Sequence, residues 1–108
     1  MKIREIITNL NNLAKVIRKD MDMPYELRRA MRKNYKALSE EYGLYEEERV
    51  KLKKKMEEGT EEKDVAAELE TILDTEVNID IVKVSESVLE TVVCSASDEM
   101  LLQFMLED

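Results

Sequence analysis

Residues 24–58 read PYELRRAMRKNYKALSEEYGLYEEERVKLKKKMEE, and the folding of that stretch decides the shape of the molecule. Apart from Pro24 and Gly43, its residues favour or tolerate helix. Pro24 suits the first position of a helix, where its missing N–H costs nothing, and Asp22 offers a cap. Leu27, Met31, Leu38, Tyr45 and Leu52 fall on one seam, with Tyr35, Tyr42 and Met56 beside it. Unbroken, such a helix would be roughly 50 Å long, whereas a globule of this size has a radius of gyration of about 13 Å. It therefore projects or bends, and Gly43 is the natural place to bend. Glu46, Glu47 and Glu48 precede the bases Arg49 to Lys55, the charge order expected of a helix restarting near residue 44, and Glu47 and Lys51 are spaced for an i,i+4 pair. Two forms follow. A continuous helix exposes Tyr42, Tyr45 and Leu52 and calls for a homodimer; a helix hinged at Gly43 is compatible with a monomer.

Upstream, Ile3, Ile6, Ile7, Leu10, Leu13, Ala14 and Ile17 step by three and four, predicting a helix over about 4–19, with Met1-Lys2-Ile3 readable instead as a short strand. Downstream, Gly59 suits a helix C-terminus and Thr60 an N-cap. Val65, Ala66, Leu69, Ile72 and Leu73 give a third amphipathic helix over about 61–74. The period then changes. Glu76 to Ile81 alternates with period two, and Val82-Lys83-Val84 continues it with a slip, so Val77–Val84 is predicted as a strand. Ser85 to Glu90 reads as a helical turn or loop, and Thr91–Cys94 as a second short strand. Ser95 and Asp98 form a capping box for a last helix over about 96–106. The expected class is helix-dominated α+β: a helical hairpin with a long second helix, a two- or three-stranded sheet and a C-terminal helix. One domain spans 1–108, its helical part about 1–74 and its small α/β part about 75–108.

The composition excludes several chemistries. Among 108 residues there is no His, no Trp and one Cys, which leaves no Ser-His-Asp triad, no His-ligated zinc and no intramolecular disulfide. No apolar run approaches the roughly 20 residues of a membrane span, and Met1 to Glu5 lacks the apolar stretch of a signal peptide. The expectation is a reduced, soluble, intracellular protein. The net charge of −8 is unevenly spread: residues 1–55 hold 15 bases and 9 acids, whereas residues 56–108 hold 2 bases and 16 acids. Because Val, Ile and Leu interleave the acids, the second half reads as a folded acidic surface and not as a disordered tail.

Three groups of side chains are candidates for chemistry or binding. Carboxylates at Asp20/Asp22, at Asp80 beside Asn78, and at Glu61/Glu62/Asp64 lack the spacing of a calcium loop, and no phosphate-cradling glycine loop accompanies them. No metal or cofactor is therefore expected, and Cys94, in an apolar run, reads as an inert thiol. Arg28, Arg29, Arg32, Lys33 and Lys36 form a basic ridge that could contact anions, although the acidic whole would repel nucleic acid at long range. Glu57, Glu58, Glu61, Asp64 and Glu68 form the densest negative stretch, suited to a basic protein partner, or else facing water or the chain's own Arg28–Lys36 ridge.

Leu44 to Leu52, the run Val77-Asn78-Ile79-Asp80-Ile81 and the ending Leu102 to Asp108 resemble a family of small proteins encoded by phages and prophages of Firmicutes, whose function is uncharacterised. Asn12-Leu13 in the first helix and Pro24 before a basic helix are similar to it too, while Phe104 stands where Trp is more usual. The resemblance brings no catalytic residues; it implies phage origin and a place in the host cytoplasm. With the missing catalytic equipment, it suggests a non-enzymatic interaction protein that binds a host protein through the acidic surface, for instance to inhibit a defence nuclease. The alternative is an accessory structural or assembly protein acting as a helical homo-oligomer.

Overall fold

A computed structural model describes residues 1–92 and 95–107. Helices α1 (Ile3–Arg18), α2 (Tyr25–Glu57) and α3 (Glu62–Leu73) make up most of it. After an extended stretch come β1 (Val84–Ser85), a 3₁₀ turn at Glu86–Thr91, α4 (Ala96–Leu101), a second 3₁₀ turn at Gln103–Met105, and β2 (Leu106–Glu107). The class is α+β, dominated by helix.

The second helix is continuous over 33 residues, so there is no hinge at Gly43. Local bonds brace the helix there. Tyr42 donates its hydroxyl to Glu46 at 3.0 Å, and Arg49 forks the same carboxylate at 3.0 and 2.9 Å. Hydrogen bonds from Arg49, then from Tyr42, hold Glu46 below the usual carboxylate range. A Cβ on Gly43 would meet nothing within 4 Å. Gly43→Ala is therefore expected to stabilise the protein by about 0.5–1 kcal/mol, the helix-interior cost of glycine. A shift of the urea midpoint to higher concentration would show it; a downward shift would mean that the glycine is needed after all.

The molecule is a rod of 55 × 25 × 20 Å with a radius of gyration of 16.8 Å. Both α1 and α3 pack on α2. The short link after α1 turns the chain back into α2. At the far end α2 closes with a Schellman turn: Gly59, at φ 105°, donates to Met56, and Thr60 donates to Lys55. The start of α1 and the end of α3 meet near the middle of the rod. There Ile3 donates to Thr75, Val77 donates to Met1, Lys2 bridges Glu76, and Arg4 reaches Glu70 and Asp74 at 2.6 and 2.9 Å. Cap positions differ from the sequence-based expectation. Pro24 precedes α2 as its N-cap with no side-chain cap from Asp22, and Glu61, not Thr60, holds the N-cap position of α3, also without a side-chain cap bond. Lys51 pairs with Glu48 at 3.4 Å rather than with Glu47, one of the two spacings a helix surface allows.

The seam of α2 is largely as expected: Leu27, Met31, Leu38 and Leu52 are buried and Tyr45 is half-buried. The cover over its far half is α3, whose Val65 is also buried. The helix is continuous, the form for which a homodimer is expected, but the residues that were to be exposed are covered within the chain: Leu52 is buried and Tyr42 and Tyr45 are half-buried.

Of the predicted strand Val77–Val84, only Val84 lies in a sheet. Val77, Ile79 and Ile81 are half-buried and Asn78 and Asp80 exposed, so the period-two reading holds for side-chain direction. The backbone, however, finds other partners. Asn34, fully buried on the α2 seam, accepts from Val82 N–H at 2.7 Å and donates to Val82 C=O at 3.0 Å. One side-chain amide thus stands in for a neighbouring strand. Only Val84–Ser85 pairs as β, in parallel with Leu106–Glu107. The expected third strand at Met1–Ile3 reduces to the Lys2–Glu76 bridge. In the predicted strand Thr91–Cys94, Thr91 belongs to the 3₁₀ turn, and Val93 and Cys94 lie outside the described residues.

The last helix is shorter than the predicted 96–106 and stops at Leu101. Leu102, Met105 and Leu106 are all buried, at a spacing one helical face would also allow, but Leu106 and Glu107 pair with Val84 and Ser85 instead of continuing the helix. The chain tightens into a 3₁₀ turn and leaves as β2. The capping box of α4 is present, with Ser95 Oγ accepting from Asp98 N–H at 3.2 Å and Asp98 Oδ2 accepting from Ser95 N–H at 3.1 Å. Asp98, only 3% exposed, also pairs with Lys19 at the end of α1, which holds its carboxyl below the usual range.

Candidate functional site

Ile17 belongs to the apolar stripe of α1, yet it is 40% exposed, and Tyr35 on α2 is 41% exposed. They lie along the seam where α1 and α2 meet, on the side away from the core. Two hollows there share Ile17 and Arg32 and so form one groove. The smaller hollow, of about 150 Å³, is lined by the apolar Val16, Met21, Met23 and Met31 and by the charged Asp20, Arg28 and Arg32. The wider one, of about 640 Å³, runs past Ala14, Arg18 and Tyr35. The outer part of the groove floor is thus apolar and its rim mostly guanidinium.

Three of the four rim charges are arginines, and among the described residues none of them is in an ion pair with an acid of the chain. Arg18 donates only to Ala14 C=O, one turn back, at 3.3 Å. Arg28 donates to Met23 C=O at 3.1 Å and lies 5.8 Å from the centre of the exposed Tyr25 ring. Arg32 is exposed and makes no hydrogen bond among the described residues. Of the basic ridge expected from sequence, Arg28 and Arg32 line the groove, while Arg29, Lys33 and Lys36 lie outside its lining, exposed on the same helix.

The acidic candidates stand elsewhere. Glu57 and Glu58 end α2, and Glu61, Asp64 and Glu68 belong to the first turns of α3, all exposed at the far tip. From Arg32 to Glu58 the helix runs roughly 39 Å at 1.5 Å per residue, so these acids do not face the Arg28–Lys36 ridge. They share the tip with lysines instead: residues 51–64 carry five of each sign. Glu68 pairs with Lys55 at 3.6 Å and Glu61 with Lys63 at 3.4 Å. The densest acidic stretch in the sequence is therefore a mixed surface in space.

Sequence reasoning missed two features. The groove has only a faint signal, since Ile17 looks like any other member of the α1 stripe. Asn34 has a clearer one: it stands three residues after Met31 and four before Leu38, a polar residue at a seam position. Among the described residues no three carboxylates or thiols converge as a metal would require. No helix of the described residues is long and apolar enough to cross a membrane. Neither a protein-family model, nor a curated protein, nor a solved structure matches the chain.

Proposed function

We propose that the protein is a non-enzymatic interaction module whose working surface is the α1–α2 groove. The observation that carries this reading is the set of three arginines without acidic partners around half-exposed Ile17 and Tyr35. Charges that a fold does not use for itself, next to apolar surface that it leaves wet, suit an interface better than they suit the isolated chain. The far acidic tip supports the role less well, because its own lysines dilute it. A host-directed role, such as blocking a defence nuclease in the host cytoplasm, adds the phage resemblance to this reading. The alternative, an accessory structural or assembly protein acting as a helical homo-oligomer, finds less support, because α3 packs on α2 and Leu52 is buried there.

A photo-crosslinking residue placed at Tyr35 in one variant and at Asp64 in another separates the two surfaces. In cell lysate the expected result is an adduct of one defined mass from position 35 and none from position 64. Excess wild-type protein should compete it away, whereas excess Ile17→Asp protein should not. Adducts from position 64 alone would return the role to the acidic tip and overturn the proposal.

A further inference from the structure

The chemistry of the groove narrows its occupant, on the premise that the groove is the working surface. We infer that it takes an acidic segment of a partner protein bearing one or two large apolar side chains. Arg28, Arg32 and Tyr35 follow one another at spacings of four and three residues, so they line about 10 Å of groove. That length matches two turns of a helix or a short extended run, the scale on which peptide segments dock by a few anchors. Ile17, Met21 and Met31 offer an apolar floor, and methionine lets such a floor adapt to the side chain it receives. Arg18, Arg28 and Arg32 sit where carboxylates on either side of an apolar anchor would reach them, and guanidinium favours carboxylate by its fork geometry.

Two other occupants fit less well. Nucleic acid phosphates would satisfy the arginines but leave the Ile17–Met21 floor uncovered. They would also meet Asp20 at the edge and a chain at −8 overall. A second copy of this chain would bring the same −8 against −8, which opposes association at long range. An acidic partner feels that repulsion as well, but the apolar contact remains to offset it, and the local field at the groove is set by its arginines.

Selection of a randomised dodecapeptide library on the full chain tests the inference even while the natural partner is unidentified. The selected pool should be enriched in Asp and Glu together with Leu, Ile, Phe or Met. A dye-labelled member of it, followed by fluorescence anisotropy, should lose at least about tenfold in affinity on Arg32→Glu and weaken as salt rises. Arg32 makes no ion pair or hydrogen bond among the described residues, so its reversal should leave the thermal melt unchanged. A pool without acidic enrichment, or a peptide indifferent to Arg32→Glu, overturns the inference. So does oligothymidylate that displaces the peptide at equal charge concentration, or a dimer in sedimentation that Arg32→Glu dissolves. If these fail while the adduct at position 35 stands, the groove keeps its role and only the partner chemistry is wrong.

Discussion

Asn34→Ala is expected to cost about 2–4 kcal/mol, the sum for two backbone groups left without partners. The Asn34 amide is fully buried and answers both polar groups of Val82, and its Nδ2 lies 3.6 Å from the Met105 sulfur. Nothing else in the described residues pairs Val82, because the extended stretch beside it has no neighbouring strand. The melting temperature should fall by on the order of 10–20 °C. Asn34→Leu should rescue little, since it refills the volume but not the hydrogen bonds. Asn34→Asp gives the sharper test. A carboxylate there can accept from Val82 N–H but cannot donate to Val82 C=O, and burial pushes its pKa up in the folded state. A raised folded pKa means a contribution fully present below the unfolded value of about 3.9 and lost as pH rises through the folded value. Relative to wild type, the Asp variant should therefore be weakest at neutral pH and recover towards pH 4. The Lys19-paired Asp98 works in the opposite direction, losing its contribution as pH falls through its depressed value, but both proteins carry it and the comparison cancels it. An Asp variant whose deficit grows on acidification would show that the Val82 clip is not what Asn34 supplies.

Asn34 also marks where the sequence could be read and where it could not. The stripes of α1, α2 and α3 were legible because helical period is local: Leu27, Met31, Leu38 and Leu52 declare a face without reference to what covers it. The alternation from Val77 to Ile81 was legible in the same local sense and gave the correct inward side chains. Which backbone pairs with which is a question about distant residues, and the answer here was a side chain 48 positions away. The end of α4 fails for a related reason, since Leu101 to Leu106 is too evenly apolar to show where helix gives way to β2. Charge was misleading in space. Lys51 to Lys55 count with the basic half by position but lie beside the acids of α3, whereas the arginines of the groove have no such neighbours. The groove itself lies where Ile17 of α1 stays partly uncovered beside Arg32 and Tyr35 of α2, a matter of packing that no spacing of residues announces.

Leu52→Ala should release the far end of the rod while leaving the near end folded. Removal of a buried leucine costs about 2–5 kcal/mol, and this one sits where there is little else to compensate. Leu52 and Val65 are the buried side chains of the α2–α3 contact, and neither belongs to the main core, which runs from Ile3 to Leu106 through Leu13, Leu27 and Leu38. The ion pairs that remain there, Lys55–Glu68 and Lys63–Glu61, are exposed and contribute little. Opening should therefore be local, as expected where buried apolar contacts are few. Hydrogen exchange should show amides of α3 and of the last turns of α2 losing protection by roughly 30-fold or more, for at least 2 kcal/mol, while α1 and residues 25–38 keep theirs. Uniform loss along the chain would mean that the rod unfolds as one unit. The same variant tests oligomer formation by a route the intact chain does not offer. With α3 undocked, the seam around residue 52 loses its cover, and the turn at Gly59 becomes a hinge through which α3 can dock on a second copy. A mass that stays monomeric in sedimentation when α3 is open would show that the seam of α2 lacks the apolar area to hold a partner, even when nothing covers it.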